Sequence, residues 1–184
     1  MTEPLRFAPA IDHLDLLAEP VAAAIAAWKG SVPVEELAVA EIDPAAADTA
    51  EFCARYGIGL DESANCVIIA AKRGGETRLA ACLVLATTRA DVNNLVRRHL
   101  GARKASFAPM DVAVRETGME YGGIGPIGLP DGWPILIDAA VAAAPRVIVG
   151  SGVRRSKLLV PGRALADLPG AEVLEGLGVP VTPS

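Results

Sequence analysis

The spacing of apolar positions along the chain predicts helices interspersed with strands. The first helix is predicted over Ile11–Trp28, with Gly30 as its end, because apolar residues recur there at every third or fourth position. This apolar stripe consists of Ile11, Leu14, Leu17, Val21 and Ile25.

A strand and a second helix are predicted next. Leu37–Ile42 alternates enough for a strand, and acidic residues bound it. The helix covers Pro44–Tyr56, since Asp43 can cap its start, proline is favoured in a first helical turn, and Gly57 follows its end.

A β-hairpin is predicted in the middle of the chain. Cys66–Ala71 is rich in β-branched residues, and Leu79–Ala86 is a second apolar run. The segment Arg73-Gly74-Gly75-Glu76 lies between them, and a Gly-Gly turn between two such runs indicates antiparallel pairing.

The remaining elements follow no regular alternation. Helices are predicted at Asp91–Leu100, Pro109–Thr117 and Pro161–Leu168. Short strands are predicted at Lys104–Ala108, Ile135–Asp138, Val147–Gly150 and Lys157–Val160, with an edge strand at Glu172–Leu174. Hairpins mixed with helices indicate an α+β domain with a mixed sheet.

The composition is typical of one globular domain over residues 1–184. The chain is 52% apolar and 21% charged, which excludes a disordered chain and allows a core without disulfide or metal. The formal net charge of −5 gives no basic field that would favour nucleic acid in general. It does not exclude contact with one end of an RNA.

The cysteines and histidines indicate neither a disulfide framework nor a metal site. The three cysteines are odd in number and form no CxxC, and His13 and His99 lack a ligand spacing. We therefore expect no metal, no cofactor and three reduced cysteines, which are Cys53, Cys66 and Cys82.

No targeting or membrane segment is expected. Residues 1–10 lack the basic and apolar regions of a signal peptide, and the apolar run Val21–Trp28 is too short to cross a bilayer. We expect a cytoplasmic protein without membrane contact.

The segment Tyr121–Trp133 is rich in glycine and proline and is predicted to be an irregular loop. Its first part, Gly122–Gly128, combines glycines that allow close backbone approach with a stiffening proline. Exposed N–H groups in such a loop can hold an anion or a carbonyl, whereas a merely structural turn is the alternative. The spacing matches neither a P-loop nor GxGxxG.

A second glycine turn, Gly150-Ser151-Gly152, leads to Arg154, Arg155 and Lys157. Backbone donors beside three cations could hold a phosphate, and the alternative is a solvated strand edge whose charges discourage aggregation. Asp138, at the end of an apolar strand, could orient a ligand or cap a helix at 139–143.

No side chain stands out as a nucleophile. The chain has no GxSxG elbow and no His–Cys pair in a recognisable context, which disfavours a hydrolase built on a side-chain nucleophile. A hydrolase whose backbone orients water, with help from the substrate, stays open.

Taken in order, these segments resemble the YbaK/ProX-type aminoacyl-tRNA deacylases, relatives of the editing domain inserted in bacterial prolyl-tRNA synthetases. The resemblance covers residues 48–177, and residues 1–47 match only loosely. It rests on Thr117–Gly128, the helix with Asp91 and Leu95, Leu100–Lys104, Ala108-Pro109, Ile135–Asp138 and Val149–Arg154.

This resemblance implies a mixed, barrel-like sheet flanked by helices and a pocket for the aminoacyl-adenosine end of a mischarged tRNA. Catalysis would be assisted by a ribose hydroxyl of the substrate and a water, with backbone donors stabilising the oxyanion. The residues expected to hold the aminoacyl group are Gly122, Gly123, Ile124, Gly125 and Pro126. The residues expected around the rest of the substrate are Asn65, Asp138, Gly150, Ser151, Gly152 and Arg154.

Two positions depart from the family pattern. The family has a lysine, expected to meet the phosphate at the tRNA end, where this chain has Asn65. It often has a serine where this chain has Gly150. Lys72 lies too far along the strand to substitute, so Arg154, Arg155 or another cation would have to supply the charge.

Two functions therefore stay open. The first is a trans-editing hydrolase that deacylates mischarged aminoacyl-tRNA, with the acceptor end and an aminoacyl-tRNA synthetase as candidate partners. The second is a catalytically impaired binding module that senses an aminoacyl or nucleotide ligand or a synthetase. The intact glycine loop is compatible with both, and Asn65 favours the second.

Overall fold

A computed structural model describes residues 2–181, in which the strands form two larger sheets and one two-stranded ribbon. The strands are β1 (Ala8–Pro9), β2 (Ala38–Glu41), β3 (Ala64–Arg73), β4 (Glu76–Leu85), β5 (Thr88–Ala90), β6 (Lys104–Phe107), β7 (Ile135–Asp138), β8 (Val147–Gly150), β9 (Ser156–Val160), β10 (Ala171–Leu174) and β11 (Gly178–Pro180). The helices are α1 (Glu19–Ala26), α2 (Thr49–Tyr56), α3 (Arg97–His99), α4 (Met110–Thr117), α5 (Ala139–Ala142) and α6 (Gly162–Ala166).

The predicted hairpin is confirmed and lies inside the five-stranded sheet, whose order is β10-β7-β4-β3-β6. Strands β3 and β4 pair antiparallel over ten residues each. Gly74 and Gly75 connect them with φ values of 58° and 82°, which a two-residue turn of this kind requires and which glycine adopts without strain. Strands β7 and β10 then add in parallel, so the sheet is mixed.

The four-stranded sheet, ordered β1-β2-β9-β8, is antiparallel throughout. A parallel bridge between Ser63 and Ile148 joins it to the start of β3. The two sheets therefore continue into one another around a common core, and the predicted α+β class with a mixed, barrel-like sheet is confirmed.

Strand β9 separates two apolar clusters because its side chains alternate between the faces of the sheet. Leu158 and Val160 face the main core. Leu159 faces a smaller cluster under α2 that contains Phe52 and Ile148. Lys157 lies on that same α2 side.

The long first helix predicted over Ile11–Trp28 is wrong in its first half. Residues 10–12 and 14–16 form two 3₁₀ turns, and the α-helix begins only at Glu19. Pro20 explains the difference, since proline is tolerated in a first helical turn but clashes with the preceding turn farther inside a helix.

Two other predicted helices are broken. Asp43 accepts a hydrogen bond from the Ala45 N–H at 2.9 Å, but it caps a 3₁₀ turn over residues 44–46, and α2 begins only at Thr49, after the extended Asp48. The segment predicted as Asp91–Leu100 consists of a π turn, Val92–Val96, followed by the single turn α3.

The other predicted elements are observed within two or three residues of their expected ends, and residues 119–134 are irregular as predicted. No helix within residues 2–181 is both long and apolar enough to cross a membrane.

Candidate functional site

The two glycine-rich segments pack against each other, backbone to backbone. A Cβ atom on Gly123 would lie 2.7 Å from the Val153 backbone, and one on Gly125 would lie 2.0 Å from the Gly150 carbonyl oxygen. A Cβ on Gly150 would in turn lie 2.4 Å from the Ile124 carbonyl oxygen. Glycine is therefore required at these positions because two main chains touch there.

Backbone hydrogen bonds fix this contact. The Gly152 N–H donates to the Gly123 carbonyl at 2.7 Å, and the Glu120 N–H donates to the Gly152 carbonyl at 2.8 Å. The glycine loop is thus held rigidly by the turn between β8 and β9.

Arg154 braces the same loop from outside. Its Nη1 lies 3.3 Å from both the Asp48 Oδ1 and the Tyr121 carbonyl oxygen. Its backbone N–H donates to the Glu120 carboxylate at 2.7 Å. A Cβ on Gly122 would lie 2.0 Å from the Arg154 Nη1, so the guanidinium packs directly against the backbone of the loop.

A cavity of about 430 Å³ opens beside the glycine loop, within the usual range for a small-molecule site. Its walls come from the start of α2, from β3, from the segment leading into α4, from the loop and from β8 and β9. They are formed by Ala47, Asp48, Thr49, Ala64, Asn65, Cys66, Val67, Ile68, Phe107, Ala108, Met110, Ala113, Tyr121, Gly122, Ile124, Gly150 and Lys157.

The structure brings part of the expected site together in this cavity, namely Gly122, Ile124, Asn65 and Gly150. The other expected residues lie outside its wall, and they are Gly123, Gly125, Pro126, Asp138, Ser151, Gly152 and Arg154.

Ser151 and Asp138 are buried away from the cavity. The Ser151 hydroxyl is bonded to the Ser156 carbonyl at 3.0 Å and to the Ser156 hydroxyl at 2.7 Å, which occupies it in holding the turn. Asp138 ends β7 and makes no side-chain hydrogen bond to the start of α5.

Within residues 122–126 of the glycine loop, two backbone N–H groups have no hydrogen-bond acceptor among residues 2–181, and they belong to Gly122 and Ile124. The Gly123 N–H donates to the Glu120 carbonyl at 2.9 Å, and the Gly125 N–H points at the Met119 sulfur at 3.5 Å. Both residues with unengaged donors line the cavity.

Lys157 is a pocket residue that the resemblance did not supply. It is only 7% exposed, because β9 lies between β2 and β8 and is not the solvated edge considered as an alternative. Its Nζ lies 5.2 Å from the centre of the Phe52 ring. Burial lowers the pKa of Lys157, with opposing effects from Cys53 and Asp48. The sequence pattern after the second glycine turn places Lys157 among three cations that could hold a phosphate.

Asn65 is held in place by α2. The Thr49 hydroxyl donates to its Oδ1 at 2.6 Å, so the carbonyl side of the amide is engaged. The amide nitrogen is left as the polar group that this residue can offer to a ligand.

Cys66 is the one thiol in the cavity wall. Burial raises the pKa of the Cys66 thiol, and it raises that of Cys82 to about 12. A neutral thiol is a poor nucleophile. All three cysteines are free, and within residues 2–181 no cluster of metal-ligating side chains occurs.

Comparison with solved structures shows the same fold in other proteins. A protein described as a candidate trans-editing enzyme for prolyl-tRNA synthetase superposes with a TM-score of 0.71 at 21% identity, over 86% of this chain and 94% of the other. The hypothetical protein APE2540 superposes with a TM-score of 0.64 at 22% identity, over 72% of this chain and 85% of the other. A scaffold used for computational grafting of epitopes superposes with a TM-score of 0.70 at 21% identity, over 86% of this chain and 95% of the other.

A family model described as the aminoacyl-tRNA editing domain matches residues 43–168. This match includes α2, the hairpin, the glycine loop, the second glycine turn and β9, so it spans every wall of the cavity. The chain therefore belongs to the aminoacyl-tRNA editing domain family.

Proposed function

We propose that this chain is a trans-editing hydrolase that removes a wrongly attached amino acid from the 3′ end of a tRNA. The observation that carries the proposal is the pair of unengaged N–H groups, on Gly122 and Ile124, in the wall of the cavity. Fixed backbone donors of this kind stabilise the oxyanion that forms during ester hydrolysis.

The proposed reaction needs no side-chain nucleophile. A water oxygen attacks the ester carbonyl carbon, the bond to the ribose oxygen breaks, and the products are a free amino acid and a tRNA with a free hydroxyl. The neighbouring ribose hydroxyl orients the water. The raised pKa of Cys66 supports this route, because the only thiol in the wall stays protonated.

The rim of the cavity supports an RNA end as the substrate. Phe107 is 62% exposed and Tyr121 is 57% exposed, and both line the cavity. They are the two exposed aromatic side chains of residues 2–181. Aromatic rings beside a pocket can stack on unpaired bases, and the 3′ end of a tRNA is single-stranded.

The test is a deacylation assay with purified full-length protein on a panel of mischarged tRNAs. We expect release of at least one amino acid well above the spontaneous rate. The control is Lys72→Met, which removes a charge from an exposed position outside the cavity and should leave the rate of release at the wild-type value. No release from any member of the panel would contradict the proposal.

A binding module that has lost catalysis is the second candidate, and Asn65 is the observation that favours it. The resemblance implies a lysine at this position in the family, and this chain has the uncharged amide of Asn65 there. A protein that binds a non-hydrolysable aminoacyl-adenosine analogue but hydrolyses none of the panel would support this candidate.

A further inference from the structure

Lys157 is a buried cation without an anionic partner. Its side chain is 7% exposed, yet the ion pairs formed among residues 2–181 do not include it. Asp48, the acidic residue of the cavity wall, is paired with Arg154 at 3.3 Å. An unpaired buried charge is costly, so its presence in a cavity wall points to an anionic ligand.

The face that carries Lys157 also carries Asn65. Lys157 of β9 pairs with Gly150 of β8, and Ser63, the residue before β3, forms a parallel bridge with Ile148 of β8. Side chains two residues apart in a strand share a face, so Asn65, Gly150 and Lys157 lie on one face of adjoining strands. All three line the cavity.

The chemistry of the proposed substrate limits what this anion can be. The α-carboxyl of the amino acid is esterified in aminoacyl-tRNA, and its amino group is a cation. Unless the amino acid is itself acidic, the phosphate is therefore the anionic group at the aminoacyl-adenosine end.

We propose that Lys157 is the phosphate-binding residue of this cavity and that it takes the 5′-phosphate of the terminal adenosine. This inference rests on the proposed function for the identity of the ligand. In this proposal the positive charge at the phosphate comes from Lys157 on β9, because position 65 on β3 carries the uncharged Asn65. Arg154 is bonded to Asp48, Tyr121 and Pro44, which leaves Lys157 as the cation directed to the ligand.

The test compares binding of adenosine 5′-monophosphate with binding of adenosine by calorimetry, because the two ligands differ only in the phosphate. We expect the wild type to prefer the phosphorylated ligand by about 10- to 100-fold, the range for a charge-assisted contact. Lys157→Met should abolish this preference and leave adenosine affinity unchanged, whereas Lys157→Arg should retain most of it. Lys72→Met is the control and should behave as the wild type.

A double variant tests whether positions 65 and 157 serve one subsite. Asn65→Lys in the Lys157→Met background should restore the preference for the phosphorylated ligand. Failure to restore it would contradict a shared subsite. A preference that persists in Lys157→Met, or that is absent from the wild type, would overturn the proposal, as would an equal loss of adenosine binding.

These outcomes are separable from those of the proposed function. Hydrolysis by the wild type together with an unchanged preference in Lys157→Met would contradict the role of Lys157 alone. A preference that collapses in Lys157→Met, in a protein that hydrolyses nothing, would support the phosphate subsite and contradict the hydrolase.

Discussion

A single buried side chain, Lys157, links the stability of the fold to its binding site. Its ammonium lies over the Phe52 ring and under α2, where burial lowers its pKa. Between that lowered value and the ordinary lysine value of about 10.4, the unfolded chain binds more protons than the folded one. The contribution of Lys157 to the free energy of unfolding must therefore rise with pH between these two pKa values.

We expect the free energy of unfolding of the wild type to rise, relative to Lys157→Met, between neutral pH and about pH 10. Urea denaturation of both proteins at the two pH values measures this difference. The pKa of Cys53 depends on Lys157, so both proteins are compared in a Cys53→Ala background, in which the ionisation of Cys66 and Cys82 affects them alike. A difference that does not change with pH, or that changes in the opposite direction, would show that Lys157 is not desolvated.

Cys66 provides a second prediction for a single residue. Because its buried thiol stays protonated, we expect Cys66→Ala to deacylate within about twofold of the wild-type rate, or less than about 0.5 kcal/mol. Initial rates on a substrate identified by the panel would measure this. A loss of several orders of magnitude would indicate covalent catalysis by the thiol and contradict the proposed route.

At the scale of the elements, the contact between the glycine loop and the second glycine turn determines the site. Gly123, Gly125 and Gly150 permit two main chains to touch, and hydrogen bonds through Gly152 hold them. The position of Gly122 and Ile124 in the cavity wall thus depends in part on Gly123, Gly125 and Gly152, which do not themselves line the cavity.

Gly125→Ala tests this dependence, since its new methyl group would lie 2.0 Å from the Gly150 carbonyl oxygen. We expect a loss of about 1–3 kcal/mol in stability from the forced separation of the two chains and a larger loss in kcat. Gly132→Ala is the control. It lies in the same irregular segment with open space around its Cβ, and its φ of 83° imposes backbone strain alone. Equal kcat values for the two variants would contradict the role of the contact.

The N-terminal segment shows how sequence pattern and backbone chemistry compete within an element. Its apolar stripe continues from Ile11 to Ile25. Pro20 is tolerated only in the first turn of an α-helix, so the helix begins at Glu19 and does not extend back to Ile11. The stripe correctly predicts burial of Leu17, Val21 and Ile25, because 3₁₀ turns and an α-helix can bury the same side.

At the scale of the whole molecule, the hairpin, the strand order along the chain and the irregular glycine loop could be predicted from the sequence. The turn preference of Gly74 and Gly75 was sufficient to predict the hairpin, and the spacing of apolar residues was sufficient for the other strands. The cavity could not be predicted in the same way. Its wall joins Thr49, Phe107 and Lys157, which come from separate segments and meet only through the pairing of strands and the packing of α2.

Lys157 illustrates the reason most clearly. In the sequence it follows two arginines after a glycine turn, a pattern that fits a solvated strand edge as well as a phosphate site. Its burial follows from the position of β9 between β2 and β8, which is a property of the complete sheet.

The rim of the cavity gives a prediction about the whole substrate. We expect Phe107→Ala to weaken binding of a non-hydrolysable aminoacyl analogue on a tRNA 3′ end by about 1–3 kcal/mol, the range for one stacked base. Binding of aminoacyl-adenosine alone should change less. Fluorescence titration of both ligands measures the contrast, with Val173→Ala, an exposed apolar residue away from the cavity, as the control. Equal losses for the two ligands would contradict stacking on the rest of the RNA end.

In the proposed reaction, the backbone of the glycine loop stabilises the oxyanion and a ribose hydroxyl of the substrate orients the water that hydrolyses the aminoacyl ester. The most direct measurement compares initial deacylation rates for one mischarged tRNA ending in adenosine and for the same tRNA ending in 2′-deoxyadenosine, both charged on the 3′-hydroxyl. We expect hydrolysis of the first tRNA and a rate lower by about a hundredfold or more for the second, because the hydroxyl that orients the water is removed. Equal rates for the two tRNAs, or hydrolysis of neither, would contradict the proposed reaction.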